Sequence, residues 1–128
     1  MAQEIHMVLR TEQLKHFSRL SRERFIEKSL VFFEQNFPQW RAGKNEDDLR
    51  SYVEVAIEFA ERHGIKREIN VQKLMYLDIT HGLFGLQHDA ITALLNREDL
   101  PQDRKVEELM IALNSKNYRK KRVNLAPR

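Results

Sequence analysis

Apolar residues in this chain return at helical rather than strand spacing. Leu14, Phe17, Leu20, Phe25, Leu30, Phe33 and Phe37 recur every three to five positions, and Ile26, Val31 and Phe32 widen the stripe. That is the period of one face of an α-helix. Thr11 suits an N-cap, with Glu12 and Gln13 in the first turn. Pro38 cannot continue the hydrogen-bond ladder and disfavours helical angles at Phe37. The spacing predicts a helix over 11–37, with Ser18 and Ser21 as the place for a bend. Upstream, Ile5, Met7 and Leu9 alternate with His6, Val8 and Arg10, the pattern of a short strand or an extended arm.

Residues 38–44, with Trp40 and Gly43, read as a loop. Asn45 opens a second helix, and Glu46, Asp47 and Asp48 place negative charge at its positive end. Leu49, Tyr52, Val53, Ala56, Phe59 and Ala60 form its apolar face. Arg62 and His63 precede Gly64, which suits the left-handed position after a helix, and Ile65 supplies the apolar contact such caps favour. A third helix is predicted over about 67–80, with Ile69, Leu74, Leu77, Met75 and Tyr76 inward and His81 and Gly82 at its end. Residues 83–87 read as a short apolar loop, and 88–96 as a short helix carrying Ala90, Ile91, Leu94 and Leu95. Pro101 starts a last helix with Val106, Leu109, Met110 and Leu113. The expected fold is all-α, a compact bundle of about five helices in one domain over 1–115.

Charge separates the body from the end. Six of the 22 bases and none of the 19 acids fall in the last 13 residues, so residues 1–115 carry a balance of −3 within a chain of +3. Residues 116–128 are therefore expected to be a basic, flexible tail. Lys116, Arg119, Lys120, Lys121 and Arg122 offer contacts to phosphates or to an acidic partner, and Tyr118 offers a stacking face. The 128 residues contain no cysteine, which excludes disulfides, thiol catalysis and cysteine-bound zinc. No apolar run approaches the ~20 residues of a membrane span. Residues 1–10 lack the apolar core of a secretion signal, so a cytoplasmic protein is expected.

Catalytic constellations are sparse. Asp78 and His81 share a helical face, and His88 and Asp89 follow a glycine-bearing connection, so the four form the best candidate for a metal site. They match no established ligand spacing, and charges at helix ends explain them more simply. The carboxylate groups Asp47 and Asp48, Glu107 and Glu108, and Glu54, Glu58 and Glu61 sit on first turns or solvent faces. No phosphate loop, dinucleotide fingerprint or nucleophile elbow is present. The expectation is a protein without cofactor, metal or enzymatic activity. Its excess lies instead in Phe32, Phe33, Phe37 and Trp40. Phe32 and Phe33 are about 100° apart on a helix, so burying both takes a wide interface. Core packing accounts for that cluster, and a patch for a partner or a homodimer is the alternative.

The order of the pieces carries a resemblance. An extended start precedes Thr11-Glu12-Gln13-Leu14, then Phe17, Phe25 and Phe37-Pro38. Gly64-Ile65 leads to Glu68, Val71, Leu77 and Gly82, and 90–95 and Leu100-Pro101 to Leu113 complete the order. Over residues 5–114 the chain resembles a family of small helical bacterial proteins encoded beside type VI secretion genes, next to spike proteins, tip proteins and toxic effectors. Where that family often carries extra aromatics after Gly82, this chain has Leu86-Gln87-His88-Asp89, and its basic tail is additional. The resemblance implies a genomic setting and supplies no catalytic residues. With it, the expected function is that of a protein-binding accessory, an immunity protein or an effector chaperone, whose partner is a secreted toxin or spike component. A nucleic-acid-binding protein working through the tail is the alternative.

Overall fold

The computed structural model describes residues 19–115, and everything it describes is helix, turn or short connection. The helices are α1 (Arg19–Asn36), α2 (Pro38–Arg41), α3 (Glu46–Arg62), α4 (Glu68–His81), α5 (Asp89–Leu95) and α6 (Gln102–Leu113), with a 3-10 turn, Leu83–Gly85, after α4. The fold class is all-α, as the periodicity predicts. The extended arm, the Thr11 cap and the basic tail lie outside the described residues. Within α1 the helix passes through Ser21 without interruption.

One expected loop is partly helical. α1 stops at Asn36 because Phe37 takes φ −138° and ψ 56°, and Pro38 then occupies the first position of the one-turn helix α2. A proline is favoured there because its missing N–H has no partner to lose and its φ is already helical. The turn brings Trp40 back over Phe33, at 5.1 Å between ring centroids.

The caps of α3 are local. The Asn45 side chain accepts from the Asp48 N–H at 2.8 Å, and the Asp48 carboxylate accepts from the Asn45 N–H at 3.2 Å. At the other end Gly64 takes φ +72°. The Ile65 N–H reaches back to the Ala60 carbonyl at 2.8 Å and the Gly64 N–H to that of Glu61 at 3.2 Å. This pair of bonds is the Schellman arrangement, and Ile65 is fully buried beneath it. Gly82, also at φ +72°, closes α4.

The start of α4 is capped from elsewhere in the fold. Arg67 gives it no side-chain cap. Instead Gln102 Oε1, at the first turn of α6, accepts from the N–H groups of Lys66 and Arg67, both at 2.8 Å, and from Asn70 Nδ2 at 3.2 Å. Asp103 completes the joint, accepting from Asn70 Nδ2 at 2.7 Å and from Arg67 at 2.6 Å. These bonds make the buried Asn70 tolerable in a face of Val71, Leu74, Met75 and Leu77. Gln102→Ala is expected to lower stability by about 1.5 kcal/mol, since three donors lose one acceptor; urea denaturation measures it.

The described helices share one core. Phe25, Ile26 and Phe33 come from α1, Leu49, Val53, Ile57 and Phe59 from α3, Leu74 and Leu77 from α4, Ile91 from α5, and Val106, Leu109 and Leu113 from α6. Four residues expected to be apolar-facing inward turn outward: Leu20, Val31, Ile69 and Tyr76 are 62, 53, 46 and 41% exposed. The centre of the α1 stripe runs through Phe25, Ser29 and Phe33 at four-residue steps, which leaves Leu20 and Val31 off the buried line. On α4 the tie from Asn70 to α6 turns Ile69 to the side.

Candidate functional site

Four places in the fold gather the residues that carry chemistry or exposed apolar surface. The first is a belt of rings. Phe37 contacts Phe32 at 5.8 Å, Phe32 contacts Phe33 at 5.9 Å, and Phe33 meets Tyr52 at 5.8 Å. Trp40 closes on Tyr52 at 4.9 Å. Phe84 extends the belt from Tyr52 at 6.0 Å to Phe59 at 4.6 Å. Most of these contacts are edge-on, the arrangement ring quadrupoles favour. Of the four aromatics considered for a partner surface, Phe33 is fully buried, so it serves the core and reaches no partner. Phe32, Phe37 and Trp40 are half-buried at the edge of the belt.

The second place is Asp78. Its Oδ2 accepts from the Tyr52 hydroxyl at 2.6 Å, and its Oδ1 accepts from the Phe84 N–H at 2.8 Å. One carboxylate thus pins α3 and the turn after α4 to the same point. Burial, then the bond to Asp78 and its negative charge, hold the Tyr52 phenol far above its usual pKa. Tyr52 therefore stays a donor and a structural group. His81 lies at the end of α4, with Nε2 3.1 Å from Asn114 Oδ1. Asp89 falls in the first turn of α5 and His88 just before it. The sequence set Asp78, His81, His88 and Asp89 is not brought together as a ligand shell. Among the described residues no group of three or more such side chains converges on a metal position.

The third place was not apparent in the sequence. Lys105 on α6 is 5% exposed, and its Nζ donates to the His63 carbonyl at 2.9 Å and to the Leu95 carbonyl at 3.0 Å. These are carbonyls at the C-terminal ends of α3 and α5, which helices leave without partners and which carry partial negative charge. The ammonium answers both ends at once. A cavity of about 330 Å³ lies beside it, lined by residues including Arg62, His63, Asn96 and Glu98. Burial lowers the Lys105 pKa, with Glu98 and Asp99 acting in opposition. Burial and then the charges of Lys105 and Arg62 lower that of His63, against a bond to the Leu95 carbonyl. The Lys105 ammonium is already engaged by two carbonyls, which makes this a clasp between helix ends. A sequence signal did exist: Lys105 precedes Leu109 and Leu113 at four-residue steps, on the buried stripe.

The clasp has a pH consequence. His63 prefers the neutral form when folded, so the unfolded chain binds more protons just below the ordinary histidine pKa. Its contribution to stability is complete above about pH 6.5 and is lost as pH falls through the lower folded value. His63→Gln is expected to flatten the pH dependence of the melting temperature between pH 7 and 5.

A shallow groove completes the set. Phe32 of α1, Ile69, Gln72, Lys73 and Tyr76 of α4, and Met110 of α6 line about 180 Å³ of open, mostly apolar space.

No protein-family model, curated protein or solved structure matches the chain. Fold and site together define an all-α bundle whose charged interior groups are committed to holding helices together. Among the described residues, no helix is long and apolar enough to cross a membrane.

Proposed function

We propose that this protein is a non-enzymatic, protein-binding accessory of a bacterial type VI secretion or toxin cluster, acting as an immunity protein or as an effector chaperone or adaptor. The observation that carries the binding role is the contrast between interior and surface. Tyr52, Asp78 and Lys105 are engaged in bonds between helices, while Ile69 and Tyr76 of α4 stand exposed along a groove. Exposed apolar side chains around a groove are a feature of interaction surfaces. The secretion setting rests on the sequence resemblance.

Co-expression with each neighbouring gene product tests the proposal. An immunity protein restores growth to cells making one toxin and forms a stoichiometric complex with it. A chaperone or adaptor raises the soluble yield of one effector and leaves its toxicity intact. If neither a complex, protection nor solubilisation appears with any neighbour, the proposal fails. A second reading is favoured by the six bases and no acids of residues 116–128: binding of nucleic acid through that segment. Such binding falls steeply with added salt and disappears when 116–128 are deleted.

A further inference from the structure

The groove on α1, α4 and α6 has a shape and a charge that limit what fits it. Lys28 of α1 lies 3.6 Å from Glu68 of α4, and Phe37, just after α1, touches Tyr76 of α4 at 5.5 Å between rings. These two contacts bring the start of α4 near the middle of α1 and its second half near Phe37. Between them lie Phe32 on one wall and Ile69 and Tyr76 on the other, with Met110 of α6 also lining the space. From Ile69 to Tyr76 is roughly 10 Å along a helix axis, about two turns.

The charge inside is single and positive. Lys73 is exposed and has no ion-pair partner among the described residues, whereas Lys28 is held by Glu68 and Arg67 by Asp103. Gln72 is the other polar side chain of the lining. Ile69 and Tyr76, at 46 and 41% exposed, give apolar surface at both ends of the two turns.

Resting on the protein-binding role, we infer that this groove is the docking site for a short amphipathic helix of the partner, with two apolar anchors one turn apart and a carboxylate beside them that meets Lys73. Anchors at i and i+3 or i+4 are how helices seat in apolar grooves. A basic peptide is disfavoured by Lys73, and an extended strand finds no sheet edge among the described residues.

The test uses the full chain and a displayed library of 16-residue amphipathic helices with either Glu or Lys beside the apolar ridge. Glu-flanked helices are expected to be enriched. Ile69→Asp is expected to weaken the selected peptide at least tenfold, and Lys73→Glu to shift preference to the Lys-flanked set. Val55→Asp, on the exposed face of α3, is expected to leave binding unchanged. All three positions are exposed, and an unchanged far-ultraviolet circular dichroism spectrum confirms folding. The inference is overturned if no helix is enriched, if Lys-flanked helices win on the unaltered chain, or if Ile69→Asp leaves binding intact. It is equally overturned if sedimentation shows a dimer that Ile69→Asp dissociates, since a second copy then covers the groove. A toxin or effector that binds the unaltered chain and Ile69→Asp equally sinks the groove and leaves the protein-binding role standing. Absence of any binding neighbour sinks that role, while the peptide selection still decides the groove.

Discussion

Replacing Lys105 with methionine is expected to lower the unfolding free energy by about 3 kcal/mol, a large share of the 5–15 kcal/mol typical of a domain. Methionine keeps much of the volume and removes the donor. The Leu95 carbonyl then loses a buried partner at 3.0 Å, and the His63 carbonyl a part-buried one at 2.9 Å beside the cavity. Each orphaned buried carbonyl costs about 1–3 kcal/mol. Relief of the buried charge, whose cost is visible in the lowered Lys105 pKa, offsets part of this. For a domain of about 100 residues the loss corresponds to a fall in melting temperature of roughly 12–24 °C. Lys73→Met, at an exposed position, is expected to change it little. Thermal unfolding of the two variants side by side makes the comparison. Equal, small effects would show that the clasp contributes nothing to stability.

Phe33→Ala is expected to cost more, about 4 kcal/mol. Phe33 is fully buried and its ring lies within 6 Å of those of Phe32, Trp40 and Tyr52. Truncation removes the transfer energy of a whole ring, leaves a cavity that α1, α2 and α3 cannot easily close, and breaks three ring contacts. The half-buried Phe37 offers a comparison: Phe37→Ala is expected to cost less than half as much, because solvent fills part of the space. Urea denaturation of both variants reads the difference. Near-ultraviolet circular dichroism reports the loss of fixed ring packing. If Phe37→Ala proves the costlier change, the centre of the belt lies nearer α4 than the ring geometry indicates.

The two large effects differ in how far the chain foretells them. Phe33 is legible: it lies on a stripe of helical period, and its burial follows from that spacing. Lys105 is only half legible. Its four-residue steps to Leu109 and Leu113 place it on the buried face, yet lysines also extend from apolar faces into water. Nothing local shows that two helix ends would converge on it. Asp78 has the same character. Its spacing to His81 is that of a metal pair, but its partners are Tyr52, 26 residues away, and the Phe84 N–H. The groove is legible least, because residues of α1, α4 and α6 come together there only in the folded chain and leave Ile69 and Tyr76 uncovered.

By itself, the sequence determined what depends on neighbours a few residues apart. That includes the helical class, the Asn45 capping box, the Gly64 and Gly82 stops, and most of the core face of each helix. Such features depend on spacing, capping side chains and φ angles within a turn or two. Tertiary structure alone decided which helix end meets which side chain. Gln102 caps α4, Lys105 joins α3 to α5, Asp78 holds Tyr52, and Phe32 and Phe37 stand at the edge of the core. Those outcomes follow from packing among helices distant in sequence. There, a buried donor or acceptor must find a partner wherever the chain brings one, because leaving it without one costs more than the bond it forms would contribute.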